Sequence, residues 1–248
     1  MTKLVDHYGW RAKIGLVYPA EGLVMEPEFY AMAPEGVSVH TARVDLLDAT
    51  IEGLSEMMDD DRIEVAARML GSRGHTDVVT FGGTSATFMR GIGYDESVIK
   101  RMEAAMAGVP ASTTSTAALR ALHAVGAKRI SFVGPYIDEV TTRGGAFFAA
   151  NGFEVSGAHG MGVSDNLELN DIPLDRTYDY AKSVVEKDAD TIFISCTGLR
   201  TIGAIAALEE SLGRPVVSAI QATFWDALRI VGIHESAPGF GSLFECWE

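Results

Sequence analysis

Short apolar runs rich in β-branched residues recur along the chain at 13–18 (KIGLVY), 37–44 (VSVHTARV), 77–81 (DVVTF), 129–133 (RISFV), 191–195 (TIFIS) and 215–218 (PVVS). Each is strand-length and bounded by Gly or polar residues. Between them, helical spacing of apolar positions marks 49–70, 95–107, 115–125, 137–151, 178–187, 201–212 and 221–231. Such alternation predicts an α/β fold with parallel sheet covered by helices. The layout DVVTF, GGTS, helix is echoed by DTIFIS, CTG, helix. The echo predicts two pseudo-symmetric, Rossmann-like halves, with the active site in the cleft between them. The expected division is 1–117 plus 219–248 for the first half and 118–218 for the second, with the seam near 115–120. Ligands of open α/β sheets sit beyond the carboxyl ends of the strands, so the loops after Val17, Phe81, Val133 and Ser195 are expected to converge.

Charge narrows the function. The 248 residues carry 34 acidic and 20 basic side chains, a net charge of −14. That field repels phosphate backbones and anionic bilayers, so neither nucleic acid nor a membrane is an expected partner. An anionic substrate would have to be held by local dipoles and neutral donors working against the mean field. Cys196 and Cys246 form no CxxC pair, which suggests neither a disulfide framework nor a zinc site and fits a reducing cytoplasm. The histidines at 7, 40, 75, 123, 159 and 234 show no ligand spacing, so no metal is assigned. No leader-like layout opens the chain, and no apolar run approaches the roughly 18 residues of a membrane span.

The four loops carry the candidate chemistry. Gly82-Gly83-Thr84-Ser85 offers two hydroxyls and unencumbered backbone N–H groups at a helix start, suited to a carboxylate or to plain helix capping. Its spacing is not a dinucleotide fingerprint. Ser195-Cys196-Thr197-Gly198 sets a thiol at a strand end where the next helix begins, a position that can stabilise thiolate and leave the sulfur facing the cleft. Cys196 there is a nucleophile, base or acid, or else a small buried hydrophobe. Tyr136 can donate a hydrogen bond into the cleft or pack at the seam. Tyr18-Pro19-Ala20-Glu21-Gly22 adds a phenol and a carboxylate, and Glu21 is expected to point away from an anion. Arg43 could pair a substrate carboxylate or form an ordinary salt bridge. The run Met57-Met58-Asp59-Asp60-Asp61 reads as a solvated helix end, and Cys246 as structural or incidental.

Taken together, Gly83-Thr84-Ser85, Tyr136 and Cys196 resemble the aspartate/glutamate racemase superfamily, in its branch of arylmalonate decarboxylases and maleate isomerases. The likeness runs nearly end to end. MEPEFYAMAPEGVSVHTARV and SDNLEL look like the isomerase side; AEGLV, GTSATFMRG, STAALRAL, YIDEV, PVVSAIQATFWDALR and PGFGSLF look like the decarboxylase side. Racemases and isomerases of the superfamily place one cysteine in each half. Here the second is Cys196, whereas the first position is Gly83, the single-thiol pattern of arylmalonate decarboxylases.

The resemblance implies a cofactor-independent decarboxylase of 2-substituted (aryl)malonates, a small dicarboxylate being its partner. One substrate carboxylate would be held in a double oxyanion hole by Thr84, Ser85, Tyr136 and the backbone N–H groups of Cys196 and Thr197. The other would enter an apolar pocket drawn from VHTARV and GMGVSDN, where His40, Arg43 or Asn166 would oppose CO2 loss. Cys196 would protonate the enediolate. Tyr18 and Pro19, where the family carries two prolines, would border the site. The alternative is a maleate-type isomerase or a racemase in which a residue such as Tyr18 replaces the missing thiol. Oligomeric state is left open.

Overall fold

The computed structural model describes residues 6–46, 50–236 and 238–247. The chain runs β1 (Ala12–Pro19), α1 (Met25–Met32), β2 (Val37–Val44), α2 (Ile51–Asp59), α3 (Arg62–Gly71), β3 (Val78–Phe81), α4 (Thr84–Phe88), α5 (Tyr94–Ala105), β4 (Ala111–Thr113) and α6 (Thr114–Ala124). There follow β5 (Arg129–Gly134), α7 (Asp138–Ala150), β6 (Glu154–Gly160), α8 (Asn166–Asp171), α9 (Leu174–Val184), β7 (Thr191–Ile194), α10 (Ile202–Leu212), β8 (Val216–Ser218) and α11 (Ala219–Ile230).

Two four-stranded parallel sheets result, ordered β2-β1-β3-β4 and β6-β5-β7-β8. The same order in both makes the pseudo-symmetry explicit. Every residue of β3 and β7 is buried, as expected of central parallel strands covered on both faces. Helix α6 packs against α11, and α11 also touches α1, β3, β4 and β8, so this pair lies between the sheets. Both begin at a hydroxyl cap, Thr113 accepting from the Thr116 N–H and Ser218 from the Gln221 N–H. A common core joins the halves: the Phe88 ring of α4 meets Phe132 and Tyr136 edge-on, with centroids 6.3 and 6.0 Å apart.

The structure corrects several expected elements. The helix expected over 49–70 is two, α2 and α3, because Asp60 turns extended and its carboxylate accepts from the Arg62 N–H; Ala49 lies outside the described residues. The helix expected at 178–187 starts at Leu174, directly after Pro173, whose ring suits a helix start and not its interior. Strands β4 and β6 were not expected. The first has three residues and no apolar run; the second, an edge strand reading EVSGAHG, lacks period-two hydrophobicity because it is half exposed. Among the described residues no helix is long and apolar enough to cross a membrane.

Candidate active site

The central strands β1, β3, β5 and β7 end at one cavity between the sheets, where the strand order of each reverses. It encloses about 50 Å³ and is lined by Tyr18, Pro19, Gly83, Thr84, Ser85, Tyr136, Cys196 and Thr197, with Asn170 and the apolar side chains of Leu46, Leu54, Met57 and Leu169 also in its wall. Among the described residues, no side chain charged at neutral pH lines it.

The β3 loop is held from behind by hydroxyls. Thr114 Oγ1 donates to the Phe81 carbonyl at 3.0 Å, Ser115 Oγ to the Thr84 carbonyl at 3.2 Å, and Thr87 Oγ1 to the Gly83 carbonyl at 2.9 Å. Buried backbone acceptors are thereby satisfied, and the loop's own donors stay available to the cavity. Thr84 Oγ1 is buried near the Tyr136 phenol, without a well-formed hydrogen bond among the described residues. An orphaned hydroxyl costs about 1–3 kcal/mol, which a ligand oxygen would relieve. Helix α4 has only five residues, so the loop's hold on an anion falls to hydroxyls and N–H groups more than to a macrodipole.

The β7 loop carries the thiol. Cys196 is 6% exposed and has φ of +96°, a left-handed backbone that L-residues seldom adopt. Its sulfur accepts from the Gly198 N–H at 3.3 Å. The helix expected over 201–212 is present, but its N-terminus does not act on the sulfur. Helix α10 begins only at Ile202, and its N-terminus is taken by Glu28, whose carboxylate accepts from the Thr201 N–H at 2.6 Å, the Ile202 N–H at 3.2 Å and Thr201 Oγ1 at 3.0 Å. Burial outweighs the Gly198 hydrogen bond and pushes the Cys196 thiol up to about 11, so it is protonated at neutral pH. Burial likewise raises Glu28 to about 7 against the hydrogen bonds it accepts.

Tyr136 and Tyr18 face the thiol from the two halves. The Tyr136 hydroxyl lies 3.0 Å from Ser195 Oγ, and burial, then the neighbouring sulfur, holds the phenol well above its usual range. Tyr18 donates to the Thr197 carbonyl at 2.6 Å and is raised for the same two reasons. Thr197 Oγ1 returns a hydrogen bond to the Gly82 carbonyl at 3.2 Å. Neutral donors therefore surround the cavity.

Other sequence candidates lie elsewhere. Arg43 does not line the cavity: it lies over the Tyr18 ring, 5.1 Å from its centroid, donates to the carbonyls of Pro19 and Gly22 and pairs with Glu26. The loop carbonyls and Glu26 hold it behind the site. His40 is exposed and bonds Ser38 Oγ at 2.9 Å, and the Glu21 side chain is outside the cavity wall. Asn166 opens α8; its side chain lies outside the described residues. Cys246 Sγ donates to the Ser242 carbonyl at 3.5 Å near the chain end. Met57 and Met58 are buried, correcting their reading as a solvated helix end; Met57 with Leu54 forms the apolar wall. That wall comes from α2, α8 and the residue Leu46, not from VHTARV or GMGVSDN.

The profile of the family described as arylmalonate decarboxylase matches residues 14–244. The chain belongs to that family. The arylmalonate decarboxylase of Bordetella bronchiseptica is 34% identical over 234 residues, covering 93% of this chain and 92% of its own. The maleate isomerase of Geobacillus stearothermophilus is 26% identical over 244 residues, covering 93% and 96%. Among solved structures, a liganded arylmalonate decarboxylase in which a glycine is changed to cysteine and a cysteine to serine superposes with a TM-score of 0.87 at 31% identity, over 94% of this chain and 99% of that one. A maleate isomerase from Pseudomonas putida with maleate gives 0.89 at 25% identity, over 96% and 99%. The arylmalonate decarboxylase family thus brings the isomerases close behind its own enzymes, and small dicarboxylates fit both.

Proposed function

We propose that this protein is a cofactor-independent decarboxylase of 2-substituted malonates, with Cys196 as its proton donor. The observation that carries the reading is a single, protonated thiol in the cavity, with Gly83 at the corresponding position of the other loop. One carboxylate of the substrate accepts from Thr84, Ser85, Tyr136 and the N–H groups of Cys196 and Thr197. The second lies against Leu46, Leu54, Met57 and Leu169, where an ion is poorly solvated and the neutral product CO2 is not. The bond from the α-carbon to that carboxylate breaks, its electron pair forming an enediolate on the carboxylate that remains. The Cys196 S–H proton passes to the α-carbon, and the thiolate is reprotonated from solvent. Delivery from one face gives one enantiomer.

The second reading, isomerisation, is favoured by the likeness to maleate isomerases. It requires a reactive group opposite Cys196, and the Tyr18 phenol is a poor one: its proton is engaged by the Thr197 carbonyl and its titration is raised. Supplying 2-aryl and 2-alkyl malonates in D2O tests both readings. Single-handed, α-deuterated monoacid with CO2 release is the decarboxylase result; cis–trans conversion of maleate without CO2 release from any malonate would replace it with the isomerase.

A further inference from the structure

Asn170, near the end of α8, is 3% exposed and joins segments that the chain keeps far apart. Its Nδ2 donates to the Glu21 carbonyl at 2.8 Å, and its Oδ1 accepts from the Leu23 N–H at 3.0 Å. Its own carbonyl accepts from Arg200 Nη2 at 2.9 Å, four residues beyond Cys196. The carboxamide therefore grips the backbone of the loop after β1, while the main chain of the same residue is tied to the thiol loop. Among the described residues, the loop's other hydrogen bonds stay within its own half, Ala20 N–H to the Val44 carbonyl, Gly22 N–H to the Pro19 carbonyl, and Arg43 to the Pro19 and Gly22 carbonyls, while Tyr18 just before it donates to the Thr197 carbonyl. Pro19 and Gly22 of this loop, and Asn170 itself, wall the cavity that holds Cys196.

We propose that Asn170 is a positioning residue that keeps the loop 19–24 closed over Cys196, so that an enediolate meets the thiol proton before it meets water. The stereochemical part rests on the decarboxylase reading; the closure does not. An amide fits the task because it is donor and acceptor at once, as a backbone carbonyl and a backbone N–H two residues apart require. Asn170→Asp keeps the acceptor but sets an anionic oxygen against the Glu21 carbonyl, and Asn170→Ala removes both partners.

The test is the rate at which iodoacetamide alkylates Cys196, followed by peptide mass spectrometry, with Cys246 of the same chain as internal reference. Asn170→Ala is expected to speed Cys196 labelling about tenfold, the population change from removing two hydrogen bonds of ordinary net worth. Asn170→Asp, which sets a buried charge against the Glu21 carbonyl, should show at least as large a rise, and Cys246 none. In parallel, the Ala variant acting on a malonate should give product of lower enantiomeric excess than the parent. Unchanged Cys196 labelling overturns the proposal, as does a rise shared by Cys246, which would mean general loosening. If the parent protein releases no CO2 from any malonate but the labelling pattern holds, the decarboxylase reading falls and the closure stands.

Discussion

The loops after β3 and β7 occupy corresponding places in two sheets of the same strand order, yet their backbones and side chains are mismatched. Gly83 has φ of −149°, an extended conformation open to any residue, whereas Cys196 stands at +96°, where glycine is the natural occupant. What keeps Gly83 small is not its backbone but the Phe81 ring, whose Cζ would lie 2.7 Å from an added Cβ. Under the decarboxylase reading, chemistry is what keeps Cys196 at this strained position. Local conformation alone would have placed the two residues the other way round, and this is how function shows through a duplicated scaffold.

The sharpest break of that comparison is Cys196→Ser, expected to lower decarboxylation by about a hundred- to ten-thousand-fold with an unchanged melting temperature, the usual worth of a positioned proton donor. Adding Gly83→Cys to that variant should restore proton delivery from the other half and reverse the product's handedness, read by chiral chromatography. Tyr136→Phe comes next: losing one oxyanion donor should cost about a hundred- to thousandfold in kcat.

Glu28, reaching from α1 to cap α10, gives a pH signature. Because burial raises its carboxyl from 4.5 to about 7, the folded state holds the proton longer than the unfolded one. Its contribution is therefore fully present below pH 4.5 and is lost as pH rises to about 7, by about 3 kcal/mol. Glu28→Gln, which retains an acceptor for the Thr201 and Ile202 N–H groups, should flatten that decline in urea titrations across the window.

Gly83→Cys alone should destabilise by about 1–3 kcal/mol through the Phe81 contact, and Phe81→Leu should recover part of it. Smallest is an inverted order at position 196: the Gly variant should be more stable than the Ala variant by about 1 kcal/mol, because only glycine is at ease at that φ.

The elements that were legible in the sequence are those whose pattern is local. The strands carrying the four loops are continuous apolar runs, and a thiol or hydroxyls at their ends can be seen without knowing the fold. Leu54, Met57 and Asn170 could not be found this way, because α2 and α8 are brought to the cleft by packing between distant segments. The i,i+3 spacing of Leu54 and Met57 signalled a buried face, though three adjacent aspartates masked it. The helix over 201–212 was legible, but not that a carboxylate 173 positions away takes its N-terminus.

The uncharged cavity wall sets how substrate arrives. A dianion approaching a chain of net charge −14 meets repulsion in solution and, among the described residues, no cationic side chain in the cavity wall. Diffusional capture should therefore quicken as salt is added: raising ionic strength from about 0.01 to about 0.3 M shortens the reach of that repulsion from about 30 Å to well under 10 Å. The resulting rise in kcat/KM is opposite in sign to the salt inhibition shown by enzymes that recruit anions with arginine and lysine.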